Sequence, residues 1–204
     1  VSGLESRMSL SWFTSLLLFA LITCGTPGPN NMLLTTAAAH GGFRRSVPLL
    51  FAVVGGLNLL MLVTALGVAG IVLGIPGAQL LLKLLGSGYL LWLAWQQGSA
   101  GVPEYHDDVR VPTWRQGALL QLMNVKGWIM AFSAIGSFAQ SGSAYWPSCL
   151  LILLIFFLIG LLTGSLWMGL GMGVGRLIGS ARGWKGFNLG MAVLMVGCVV
   201  MIWR

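Results

Sequence analysis

The apolar positions of this chain fall into six runs, at about residues 10–39, 46–73, 78–97, 117–140, 146–175 and 186–203. About 20 residues of helix cross a hydrocarbon core of ~30 Å, so each run is long enough for one span. The first run is too long for a straight helix. Thr26-Pro27-Gly28-Pro29-Asn30-Asn31 interrupts it. Proline removes a backbone donor, and glycine is costly to order. Lipid tolerates such a break only where protein or a polar cavity satisfies the freed backbone groups. The pattern predicts an all-α, polytopic membrane protein with six transmembrane helices and a polar cavity near mid-membrane.

Composition supports that reading. The 204 residues are 57% hydrophobic and only 7% charged, with a mean hydropathy of +0.90. A soluble domain carries about a quarter charged residues. Six spans use nearly the whole chain, so residues 1–204 read as one integral membrane domain without a soluble part. The net charge of +7 sits in short connections, and no basic stripe with interleaved aromatics suggests nucleic acid. The first apolar run leads into the break rather than to a small-residue cleavage site, so no cleavable signal is expected. Residues 1–7, before Met8, are given no functional role. Cys24, Cys149 and Cys198 all fall in apolar runs. Their odd number and spacing fit neither a disulfide framework nor a zinc site, and they read as packing residues.

The basic residues set an orientation. Arg44 and Arg45 follow the first run, Arg110 and Arg115 precede the fourth, and Arg176, Arg182 and Lys185 separate the fifth from the sixth. The second and fourth connections hold no Lys or Arg. By the positive-inside rule the odd connections face the cytoplasm and both termini face outward. The long connection at 98–115 holds Glu104, Asp107 and Asp108, three of the chain's four acids, and marks a midpoint. Residues 8–98 form one three-span half, 99–115 a cytoplasmic loop and 116–204 a second half. The halves are inverted relative to each other, a common plan in secondary transporters. Helix 4 is interrupted like helix 1, at Asn124-Val125-Lys126-Gly127. Pro29 lies about 12 residues from the inner end of its span and Asn124 about 9 from Arg115. Both breaks are thus ~14–18 Å deep at 1.5 Å per residue, where one central site forms.

Lys126 has the clearest functional case. No other charge occurs from 116 to 175, and a lysine at mid-membrane costs at least ~2.5–3.5 kcal/mol unless it faces a bundle interior or water. The alternative is a lysine snorkelling from a tilted span. Pro29 is suited to the first position of a half-helix. The free N–H groups and dipole of that helix would favour a carboxylate. Asn30 and Asn31 add donors and acceptors; the alternative is a packing kink. Asn124 and Lys126 would not share a face of a regular helix, and unwinding at Gly127 would relax that limit. Asn124 also suits a plain interhelical hydrogen bond. His40, Arg44 and Lys83 are candidates for coupling or gating. Snorkelling suits Lys83 better, and a capping or interfacial role suits His40 better. Tyr89, Trp92, Trp95, Trp146 and Trp203 read as interfacial anchors. Gly160-xxx-Gly164 and Gly171-xxx-Gly175 read as close helix packing. The sequence holds no metal-ligand cluster, cofactor motif or nucleophile arrangement, so no enzyme, metal or cofactor is expected. No carboxylate lies within a run, so a conventional acidic proton relay is absent.

Together these residues resemble the LysE/RhtB family of small six-span amino-acid exporters. The carrying pieces are Thr26-Pro27-Gly28-Pro29-Asn30-Asn31, His40-Gly41-Gly42-Phe43-Arg44, the stretch from Gly86 to Trp95, and Gln121-Leu122-Met123-Asn124-Val125-Lys126. Much of the family has Asn-Pro-Lys where this chain has Asn124-Val125-Lys126. That combination is most similar to the subgroup that includes the cysteine/O-acetylserine exporter. The resemblance implies export of small neutral amino acids across a bacterial inner (plasma) membrane by alternating access, driven by the proton-motive force. On this reading Pro27, Gly28, Pro29, Asn30, Asn31, Asn124 and Lys126 hold the substrate. The partners are an amino acid, the lipid bilayer and protons, and a homodimer is left open. A passive facilitator for small zwitterions is the runner-up. An exporter of threonine, homoserine or lysine, and a scaffold without transport, are further alternatives.

Overall fold

In the computed structural model every regular element among the described residues is helical. The structure describes residues 9–67, 77–99 and 112–203, without the side chains at 78, 79, 82, 83, 86, 89, 90, 198, 201 and 202. The acids and Arg110 of the long connection, Cys198, and the side chains of Lys83 and Tyr89 therefore lie outside the described residues. The helices are α1 (Leu10–Gly25), α2 (Pro29–Ala65), α3 (Ala78–Gly98), α4 (Trp114–Met123), α5 (Val125–Phe138), α6 (Tyr145–Leu177) and α7 (Ala181–Ile202). A 3-10 turn at Gly142–Ala144 leads into α6.

Local chemistry explains the starts. Ser9 accepts from the Trp12 amide to open α1, and Thr113 and Gln116 form a reciprocal capping box on α4. Ser180 caps α7 through the Gly183 amide. Helix α2 consists of two helical stretches that meet at a kink within the connection the sequence reading placed between the first two runs, and Arg44 and Arg45 lie in the second stretch. Its one non-helical residue is Gly42, at φ 77 and ψ 170. A positive φ suits glycine, which has no Cβ to clash. Helix α2 ends at Ala65, and residues 68–73 of the second apolar run lie outside the described residues. Arg182 and Lys185 likewise lie within α7 rather than in a loop.

Two helical stretches, Pro29–Ala65 and Gly142–Leu177, are long and apolar enough to cross a membrane, and α4 with α5 makes a third if the bent pair is one span. Helix α1 has 16 residues, ~24 Å at 1.5 Å per residue, too short to cross alone. Six leucines at every fourth position of α6 (Leu150, Leu154, Leu158, Leu162, Leu166 and Leu170) are 52–62% exposed. Such a stripe is a liability in water and ordinary against lipid.

Helices α2 and α6 form the central pair, α3 packs on α7, and α1 packs on α6. The glycines of α6 show why the central pair is close. A Cβ at Gly160 would meet Val54 at 3.2 Å, and one at Gly175 would meet the Ala39 carbonyl oxygen at 2.6 Å. A Cβ at Gly164 would collide with Leu50, and one at Gly171 with the Thr35 carbonyl. Both small-residue motifs therefore serve one partner, α2. Between α3 and α7, buried Gln97 donates to Asn188 Oδ1 at 2.9 Å.

Two apolar cores result. One gathers Leu34, Leu49, Leu50, Val53, Leu120 and Met168 with α3 and α7 residues. The other gathers Leu16, Leu57, Leu60, Met130, Ile152 and Phe156. Cys149 is buried in the second core and Cys24 packs partly buried beside it, as packing residues do. Trp92, Trp95, Trp146 and Trp203 are all substantially exposed.

Candidate functional site

The first break follows from two prolines. A residue before proline is pushed out of the α region. Thr26, before Pro27, is extended at φ −67 and ψ 145. Gly28, before Pro29, is extended at φ −176 and ψ 174. Helix α1 therefore stops at Gly25, and α2 starts with Pro29 in its first turn and Gly28 as a cap without a side-chain hydrogen bond.

Helix termini leave orphan carbonyls and amides that need partners away from water. Here side chains from three helices take the carbonyls. Asn31 Nδ2 donates to the Cys24 and Thr26 carbonyls at 2.8 and 2.9 Å. Trp167 Nε1, from α6, donates to the Gly25 carbonyl at 3.2 Å. Lys126 Nζ, from α5, donates to the Thr26 carbonyl at 3.1 Å, to Thr26 Oγ1 at 3.0 Å and to the Pro27 carbonyl at 3.4 Å. A cation at the carbonyl end of α1 also complements its dipole. Gly28 makes room for it, since a Cβ there would sit 3.1 Å from Nζ.

The second break falls at Asn124, the first residue of the interruption read at Asn124–Gly127, and the unwinding suggested at Gly127 does not occur. Asn124 has φ −80 and ψ 99, closes α4 and caps α5. Its Oδ1 accepts from the Lys126 amide at 3.1 Å. That local bond gives an asparagine an alternative to continuing the helix. Gly127 stays helical, and a Cβ there would meet Gln121 Nε2 at 2.6 Å. The axes of α4 and α5 differ by 65°.

The two breaks meet. Asn124 Nδ2 donates to Asn30 Oδ1 at 3.2 Å, and Asn30 Nδ2 donates to Gln121 Oε1 at 2.7 Å. Beside these amides lies a cavity of about 40 Å³ lined by Gly28, Pro29, Asn30, Asn31, Asn124 and Lys126 among others. Leu34 and Val53 from one core and Leu57 and Met130 from the other also line it. The site thus sits where the two apolar cores join. A water needs ~10–15 Å³ of such volume, so the cavity has room for water.

Most sequence candidates converge here, with exceptions. Pro27 contributes its carbonyl to Lys126 but does not line the cavity. His40 lies nine residues beyond Asn31, ~14 Å along α2. Its Nδ1 pairs with the Thr36 carbonyl at 2.9 Å, and its ring packs on Trp184 at 4.9 Å. Arg44 is exposed beyond Gly42. Neither belongs to this cavity. Gln121 was absent from the sequence candidates although it is fully buried and bonded to Asn30. Its position three residues before Asn124 was the available signal, because i and i+3 share a helix face. No His/Cys/Asp/Glu group suited to a metal occurs among the described residues.

Long apolar helices, an exposed leucine stripe and a cavity with amide and lysine side chains between two broken helices define a helical membrane protein. Its family is also clear: the chain belongs to the LysE type translocators, whose model matches residues 21–203. It is similar to the cysteine/O-acetylserine efflux protein of Salmonella paratyphi A, 36% identical over 145 residues that cover 67% of this chain and 71% of the relative. The Escherichia coli K12 protein of the same name is 32% identical over 142 residues with the same coverage. No solved structure gives a significant match. The protein is a transporter and not an enzyme.

Proposed function

We propose that this protein exports small neutral amino acids, of the cysteine and O-acetylserine kind, across the bacterial inner membrane. The observation that carries the reading is the meeting of the two helix breaks. Asn30 bonds to Gln121 and Asn124, and Lys126 bonds to Thr26 and Pro27, across one small cavity. Transporters commonly build their sites from such discontinuous helices. The efflux activity named for the similar Salmonella and Escherichia proteins supports the substrate class.

In this reading the six apolar runs are six spans, with both termini outside and residues 8–98 and 116–204 as inverted halves. Helix α1 and the part of α2 before Gly42 form the first span, and α4 with α5 forms the fourth. The Lys126 ammonium and the opening turn of α2 receive the substrate carboxylate. Asn30, Asn31 and Asn124 orient it and receive its ammonium. Each cross-bond joins one half to the other, so rocking the halves exchanges these bonds for bonds to substrate. A cavity of about 40 Å³ is too small for an amino acid, so loading requires the halves to part. The proton-motive force drives the cycle, with His40 outside the substrate cavity as a coupling candidate.

The test is efflux from proteoliposomes loaded with labelled cysteine, O-acetylserine, threonine or lysine, with and without a pH gradient. Saturable efflux of the first two, faster with the gradient, is expected. Efflux indifferent to the gradient would make the protein a facilitator, and no efflux of any of the four would sink the substrate reading.

A further inference from the structure

The site's amides form a relay whose direction is set at one end. A backbone N–H can only donate, and the Lys126 amide donates to Asn124. The accepting atom of Asn124 is therefore its oxygen, and its other atom, Nδ2, must donate to Asn30. Asn30 accepts through Oδ1 and donates through Nδ2 to Gln121. The oxygen of Gln121 is thereby occupied, and its remaining atom is Nε2. Asparagine and glutamine orientations are usually ambiguous, but here the helix-capping bond removes the ambiguity along the chain.

The relay ends in an unmet donor. Gln121 is 0% exposed, and its Nε2 has no hydrogen-bond partner. The residue lines the cavity together with Gly127, the glycine over which Nε2 lies. Its stem passes Gly56, where a Cβ would meet Gln121 Cγ at 2.9 Å. The side chain thus passes one glycine with its stem and another with its amide. A buried donor left unmet is costly, and such groups are rare in proteins without a reason.

We propose that Gln121 is a substrate-binding residue whose Nε2 donates to a carboxylate oxygen of the transported molecule. This rests on the amino-acid reading above and deepens it. A carboxylate offers about four lone-pair sites, so Lys126 and Gln121 can hold its two oxygens from different sides. The substrate class then narrows to small molecules with a free carboxylate, and their decarboxylated amines are poor ligands. The relay couples this choice to the fold, because the same chain of amides caps α5.

The experiment is calorimetric binding to the purified protein in lipid nanodiscs at pH 8. The ligands are L-cysteine, O-acetyl-L-serine and cysteamine, which is cysteine without its carboxylate. Gln121→Glu keeps the shape and the bond from Asn30 but reverses the sense of the terminal bond. Gln121→Met removes both ends of the amide. Each variant should weaken the two amino acids about ten- to hundredfold, as loss of a hydrogen bond to a charged group implies, while cysteamine, titrated by competition against O-acetyl-L-serine, should stay within about twofold in the uncharged Gln121→Met. Equal loss for cysteamine, or unchanged binding of the amino acids, would overturn the proposal. If the wild type binds neither amino acid, the substrate reading itself fails. Formate then becomes the probe, read by NMR on a selectively labelled glutamine side chain. A formate-induced shift of the Gln121 amide supports the carboxylate role, and its absence overturns it.

Discussion

Replacing Gly175 or Gly171 by alanine should loosen the central helix pair. A Cβ at Gly175 would lie 2.6 Å from the Ala39 carbonyl oxygen and 3.2 Å from its Cα. The closest ordinary C–H···O contacts are ~3.3 Å, so α2 and α6 must part by about 0.7 Å. At Gly171 the obstacle is the Thr35 backbone itself, which cannot rotate away as a side-chain tip can. Overpacking of this kind costs ~1–3 kcal/mol, while alanine regains up to ~1 kcal/mol of helix propensity. A net loss of about 1–2 kcal/mol is expected at each site. For a chain of this length that corresponds to ~2–8 °C in melting temperature. Gly169→Ala and Gly173→Ala are the controls, because a Cβ at either meets nothing within 4 Å. These should leave the melting temperature unchanged or slightly raised. The assay is thermal unfolding of each variant in the same detergent, followed by size exclusion. Equal melting temperatures for all four variants would refute the inferred closeness of α2 and α6. Trp167 lies one helical turn before Gly171 and bonds to Gly25, so Gly171→Ala should also slow efflux.

Three other substitutions probe the site. Gly28→Ala introduces no backbone strain, since φ −176 suits any residue. Its methyl would nevertheless press on Lys126 Nζ at 3.1 Å, so the KM for efflux should rise several-fold with little change in melting temperature. Asn31→Ala leaves the Cys24 and Thr26 carbonyls without that donor. A loss of ~1–3 kcal/mol should appear as a lower melting temperature, and an unchanged one would discount the tie. Lys126→Arg should retain only part of the efflux rate, because a planar fork does not reproduce a compact ammonium; wild-type rates would contradict that.

Much of the site was legible because its chemistry is local. Two prolines two residues apart forbid a continuous helix whatever surrounds them, and a lysine within an apolar run requires a partner. The second break was legible as the polar stretch that begins at Asn124, but its cause was not, because the decisive bond is the Asn124 cap on the Lys126 amide and Gly127 needs no unwinding. Gln121 was passed over because its role arises from Asn30, 91 residues away. The partner of the α6 glycines was equally hidden, since a small-residue spacing says that a helix approaches and not which one. The kink at Gly42 falls within the connection read between the first two runs, while Arg44 and Arg45 already belong to the helical stretch that follows it. Gly42 alone turns the backbone there.

The central claim is that Lys126, at the junction of the two breaks, handles the substrate. Efflux of labelled O-acetylserine and cysteine from proteoliposomes, comparing wild type with Lys126→Ala at matched insertion and folding, tests it most directly. The account predicts saturable efflux by the wild type and none above background for the variant. Full efflux by Lys126→Ala would contradict it.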